Sequence, residues 1–309
     1  MKRQAARPVA LLLALAATRA QGARAQAAYE IEVYGSQLTP PGALMLELQG
    51  NYIFRGASAA PTCATGPVVD DQLHRSLAAA AAACSSTNPP YLGVDRPAGS
   101  PAFAVKPYSP RDTTVAHPAH GTIEAVFGLT GTTEAAVYLF TARAWDGMRY
   151  AGASARLRAG LAASRHWPVH LALAVEAEHE TAAVSANTWT LEIRPILDRA
   201  WGRWYVAVNP TLARVLRGPG SGSGVLFSPS GRVSFDAWRT VTAGIEYYGS
   251  MGPLSGFAPA ARQLHELFGA IDLHAWRMWE VNAGLGFGLT PATDGLTAKL
   301  IVGRQIALH

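Results

Sequence analysis

Only two of the 309 residues are cysteine, Cys63 and Cys84, and no Cys-x-x-Cys or His pair stands at a spacing that would complete a zinc site with them. Long apolar runs are missing as well. Beyond residue 27 the longest is Leu77 to Cys84, far short of the roughly 20 residues that a spanning helix needs. The chain has no Gly-x-Ser-x-Gly elbow, no His-Glu-x-x-His, and neither a phosphate-cradling nor a dinucleotide-binding glycine pattern. Catalytic residues, metal ligands and cofactors are therefore not expected.

Basic charge is scarcer than the formal net of +5 implies. Residues 1–27 combine a basic start, an apolar stretch from Val9 to Ala17 and a small-x-small site at Ala25 to Ala27, which reads as a secretory signal peptide cut after Ala27 or Ala25. Lys2, Arg3, Arg7, Arg19 and Arg24 leave with it, and residues 28–309 are near neutral. Nucleic acid is thereby excluded as a partner. In an exported chain the two cysteines point to a Cys63–Cys84 disulfide, worth about 3 kcal/mol by chain entropy.

What the sequence does contain is alternation. In TWTLEIRPIL (188–197), Trp189, Leu191, Ile193 and Pro195 share one parity, and Thr190, Glu192 and Arg194 the other. A strand turns successive side chains to opposite faces, so this ribbon has an oily face and a charged face. The same pattern predicts strands over 43–55, 122–129, 134–145, 150–161, 169–178, 188–197, 203–216, 225–236, 240–249, 264–274, 278–289 and 296–306. Pro195 and Pro229 weaken theirs. Gly284, Gly286 and Gly288 share one parity and mark an inward face on which something packs closely.

Short connections (130–133, 164–168, 198–202, 236–239, 274–277) alternate with mostly longer ones, and residues 56–118 form one long insert pinned by the cysteines. Trp167, Trp201, Trp204, Trp238, Trp276 and Trp279 sit in or beside the short turns, while Trp145 and Trp189 fall at the opposite rim. Amphipathic rings gather where a bilayer meets water. Together these features predict an all-β, transmembrane antiparallel barrel of about twelve strands with a long first external loop, located in a bacterial outer membrane.

In that arrangement the polar parity lines the lumen. The predicted lining residues are Glu47 on the first strand and Glu124 on the second, then Arg156, Arg158, Glu176 and Glu178, with Arg156 opposite Glu176 across the 164–168 turn. Further along follow Glu192, Arg194, Arg232 and Glu246, and finally Glu266, Asp272, Glu280 and Lys299. Nine acids face six bases once Arg55 is added, an excess that points to cations. His117 and His120 read as a loop edge, and Ser164 with His166 as a solvated turn.

The stretches WTLEIRPILDRAWGRWYVAVNPTL (189–212), GIEYYGSMGPLSGF (244–257), HELFGAIDL and GFGLTPATDGLTAKLIVG resemble a family of uncharacterised, transporter-like proteobacterial outer-membrane β-barrels, similar in style to MetA-type phenol-degradation outer-membrane proteins. The resemblance spans about 119–304. It implies a barrel and transport, and transfers no catalytic residue. The chain departs from the usual pattern in ending IALH rather than on an aromatic residue.

Three functions are compatible with this reading: a passive channel or transporter for a small solute, a surface barrel whose 56–118 insert binds a partner, and a barrel-bound lipid enzyme. The expected partners are outer-membrane lipid, the barrel-assembly machinery and a small-molecule solute.

Overall fold

The computed structural model describes residues 29–57, 118–144, 147–161, 167–182, 184, 185, 187–274 and 278–308. The expected signal peptide, residues 58–117 of the expected insert with Cys63, Cys84 and His117, and Trp145, Ser164, His166 and Trp276 lie outside them.

Among the described residues, twelve long strands and one two-residue strand form a single closed antiparallel sheet. They are β1 (Ala43–Ala57), β2 (Ala119–Thr130), β3 (Thr133–Ala144), β4 (Gly147–Leu161), β5 (His170–Glu180), β6 (Trp189–Trp201), β7 (Trp204–Arg217), β8 (Leu226–Trp238), β9 (Val241–Ser250), β10 (Gly252–Pro253), β11 (Leu264–Leu273), β12 (Trp279–Gly288) and β13 (Asp294–Ala307). Neighbours in sequence are neighbours in the wall, and β1 pairs with β13 to close it. The short β10 leaves the ring and pairs with the start of β8. Closure matters physically because it removes the sheet edges that could not be satisfied in hydrocarbon.

The alternation read in TWTLEIRPIL governs the whole wall. Along β5, Ala172, Ala174, Glu176 and Glu178 are buried, while Leu173, Val175 and Ala177 are exposed. Outside the barrel this produces a belt of exposed aliphatic side chains, among them Leu157 (64% exposed), Leu285 (50%), Ile193 and Ile271. Water would penalise so large an apolar surface, and acyl chains do not. A Leu173→Arg variant is accordingly expected to destabilise the membrane-inserted barrel by about 2 to 4 kcal/mol, read from denaturant titration in lipid vesicles.

The described tryptophans mark the rims. Trp201, Trp204, Trp238 and Trp279 stand at strand ends, and all are exposed together with Trp167. Trp189 begins β6 at the other rim. Proline acts as expected at Pro195: the β6–β7 pairing lapses between Ile193–Leu212 and Leu197–Val208, although Pro195 keeps its place opposite Leu173 on β5. Pro229 faces Pro210 in unbroken register.

The glycine row of β12 also has its cause. The fully buried Phe268 ring of β11 lies across Gly286, where an added Cβ would strike it, and its edge comes close to Gly284, which also faces the Gly269 carbonyl and the Lys299 side chain.

Candidate functional site: a lumen filled by the N-terminal segment

The sequence reading placed charges in the lumen and left open what else is there. The structure places residues 29–41 there. At the rim carrying the short turns, Gly42 adopts φ +72, a left-handed conformation suited to glycine, and the chain before it runs back up the inside of the barrel. It passes so close to β2 that a Cβ on Gly128 would collide with the Pro40 carbonyl. The first described residue of this plug, Tyr29, lies against β2 and β3, where Thr122 Oγ1 donates to the Tyr29 carbonyl (2.6 Å) and the Tyr29 ring stacks on Phe140 at 5.0 Å.

An unpaired ribbon inside a wall of paired strands needs side chains to satisfy its backbone. The Thr39 N–H donates to Glu134 Oε2 (2.7 Å), and the Gln37 carbonyl accepts from Arg158 Nη2 (2.8 Å). Ser36 donates from both its N–H and its hydroxyl to Asp198 (2.5 and 3.0 Å). Asn209, fully buried on β7, grips Tyr34 at both backbone groups: its Oδ1 accepts from the Tyr34 N–H (2.7 Å) and its Nδ2 donates to the Tyr34 carbonyl (2.9 Å). Lys299 Nζ donates to the Ile31 carbonyl (3.0 Å).

Tyr34 is the hub of the contact. Its ring lies under three guanidinium groups: Arg156 at 4.4 Å, Arg194 at 4.9 Å and Arg158 at 5.6 Å. Those arginines are also held by wall carboxylates, Arg156 by Glu124 (2.9 Å), Arg158 by Glu134 (2.7 Å) and Arg194 by Glu192 (3.1 Å). Glu30 of the plug accepts hydrogen bonds from two of them, Arg156 Nη1 and Arg194 Nη2, each at 3.5 Å. Buried charges are tolerated only when paired in this way.

Most of the predicted lining residues do meet inside. Glu124, Arg156, Arg158, Glu176, Glu178, Glu192, Arg194, Glu246 and Lys299 are buried. Arg232 pairs with Asp272 and, at 3.7 Å, with Glu246, which also binds Lys299. Glu47 and Glu266 are half-buried, and Glu280 is exposed at the rim.

Arg156 stands opposite Glu176 in register, as expected, but bonds elsewhere: it turns to Glu124, while Glu176 accepts from Ser154 (2.5 Å) and lies 3.9 Å from Arg194. Arg55 does not join the interior. It is exposed and donates to the Gly295 carbonyl (3.0 Å).

Sequence reasoning missed Glu134, Asn209 and the plug, and it placed Asp198, a buried anchor of Ser36 on β6, in a turn. Glu134 is one of the most buried acids; its parity with Ala136 and Tyr138 was the available signal. Asn209 and the plug had no local signal beyond the alternation of YEIEVY (29–34), which by itself reads as another strand.

Replacing Asn209 with leucine removes both bonds to Tyr34 and strands a buried N–H and C=O, a loss of about 1 to 3 kcal/mol in plug docking. A nitroxide on Gln37→Cys is expected to show a larger mobile fraction in the Asn209→Leu barrel than in the parent.

No protein-family model matches the chain, and no curated relative matches it. Among solved structures it is similar to an outer membrane channel from Pseudomonas putida F1, with a TM-score of 0.56 at 10% identity over 90% of this chain and 100% of that one. The KdgM porin superposes with a TM-score of 0.40 at 11% identity, over 62% of this chain and 93% of that one. The outer membrane channel DcaP of Acinetobacter baumannii gives 0.30 at 8% identity, over 88% and 100%. The first of these shows a shared fold, a closed antiparallel β-barrel.

Proposed function

We propose that the protein resides in the outer membrane as a channel for a small solute and that residues 29–41 close it. The carrying observation is the plug itself, an extended segment outside the sheet ladder that is held in a polar lumen by hydrogen bonds and ring contacts. Each is replaceable by water, so the segment is displaceable in a way that a paired wall strand is not. The protein then works by passage, without a chemical step. The oily belt and the tryptophan rims support the membrane location, and the fold shared with an outer membrane channel agrees with it.

Carboxylates at Glu47, Glu124, Glu176, Glu178, Glu192 and Glu280 make the lumen favourable to cationic or neutral solutes over anions. Planar-bilayer recording and liposome swelling test this reading. Measurable conductance with cation selectivity is expected; a folded barrel silent in both assays even after removal of the plug contradicts it.

A further inference from the structure

Docking the plug brings two carboxyl groups, Glu30 and Glu32, into a lumen already crowded with acids. The side-chain oxygens of Glu32, of Glu47 on β1 and of Glu124 on β2 all lie within 4.8 Å of one another. Glu47 and Glu124 are register partners, and on the other side of Glu47 the wall residue is Gly303, beyond which Glu280 of β12 takes the same row. A neutral amide reaches two members of the group: Gln49 Nε2 donates to Glu124 Oε2 at 2.8 Å and to Glu47 Oε2 at 3.4 Å. Carboxylates this close and this little solvated do not all ionise together.

We propose that docking of the plug takes up protons, so that the channel is held shut in acid and the plug is released as the pH rises. This rests on the reading of residues 29–41 as a displaceable plug.

The surroundings of both groups set the sign. Around Glu32 stand Glu47 (β1) and Glu124 (β2), opposed by Arg156 and Arg158 (β4) and Lys299 (β13), the last engaged with Glu246 of β9. Around Glu30 stand Arg156 (β4) and Arg194 (β6), opposed by Glu124 (β2), Glu176 (β5) and Glu192 beside Arg194, with the Tyr138 hydroxyl of β3 also facing it. Burial, together with Glu124, outweighs the basic groups at Glu32 and pushes its carboxyl up to about 7. Burial likewise pushes Glu30 up to about 8, despite Arg194 and Arg156. A released plug is solvated, and both groups return to the ordinary value of 4.5.

The docked state therefore binds more protons than the released state between pH 4.5 and about 7 for Glu32, and between 4.5 and about 8 for Glu30. For an acid raised on docking, the favourable contribution is complete below the released value and lost as the pH passes through the docked one. For each such proton, docking weakens by about tenfold per unit rise in pH inside its window.

The test is a nitroxide at Gln37→Cys, in full-length protein with Cys63 and Cys84 replaced by serine, reconstituted in vesicles with EDTA so that the acids answer to protons alone. The mobile fraction of the spectrum should rise steeply from pH 5 to 8. In a Glu30→Gln/Glu32→Gln chain, whose amides mimic the protonated carboxyls, the fraction should stay low and flat. A flat profile in the parent, or an unchanged slope in the double variant, overturns the proposal. Conductance recorded in parallel separates the two readings: a mobile fraction that follows pH while conductance does not leaves the proton-coupled latch standing and removes the channel.

Discussion

Deleting residues 29–39 is expected to raise the conductance of the reconstituted barrel by about an order of magnitude, because it exchanges a peptide for water along the depth of the lumen. The wall should survive the loss. Every long strand pairs on both sides and β1 closes on β13, so the ladder does not depend on the plug. The aliphatic belt that meets the acyl chains is likewise untouched. Circular dichroism should keep its β-sheet signature while single-channel recording shows the larger step. A deletion that folds normally but conducts no more than the parent would mean that the wall side chains alone fill the interior.

The second large effect concerns Arg156. It holds Glu124 at 2.9 Å and approaches Glu30 at 3.5 Å and Glu134 at 3.9 Å, while its guanidinium covers Tyr34 at 4.4 Å and Tyr138 at 5.1 Å. Arg156→Ala leaves buried carboxylates uncompensated, which costs about 3 to 5 kcal/mol. The Arg304→Ala change makes a useful comparison. Arg304 sits exposed at the rim over Trp279 at 5.1 Å, and its loss should cost no more than about 1 kcal/mol. Urea titrations of the two variants in the same vesicles give the contrast directly. Equal midpoints would show that the Arg156 contacts contribute nothing net.

How far these features can be read from sequence depends on whether the signal is local. Strand alternation is local, and Thr190, Glu192 and Arg194 turned inward with Leu191 and Ile193 outward follow from five consecutive residues. Closure follows from the count of such ribbons and the short turns between them. The inward placement of Phe268 over Gly284 and Gly286 was half visible: the glycine parity showed that something sits close, and only the register of β11 against β12 says what.

The plug was not visible for a different reason. Its anchors join residues far apart in the chain, Tyr34 to Asn209 and Ile31 to Lys299, and nothing within YEIEVYGSQL distinguishes a lumen ribbon from a wall strand. The choice of ion-pair partners was hidden for a related reason. Register places Arg156 opposite Glu176, but a long guanidinium side chain reaches two strands away to Glu124, drawn there by the plug and the acids around it.

The most direct test of the account is a nitroxide scan along β5, from position 170 to 180, in protein reconstituted in lipid, comparing collisions with oxygen and with a water-soluble paramagnetic reagent. Positions 171, 173, 175 and 177 should be open to oxygen and closed to the aqueous reagent. Positions 172, 174, 176 and 178 should be shielded from both, because the plug rather than water occupies the lumen. Loss of the two-residue period, or aqueous access at 173 and 175, would contradict the account.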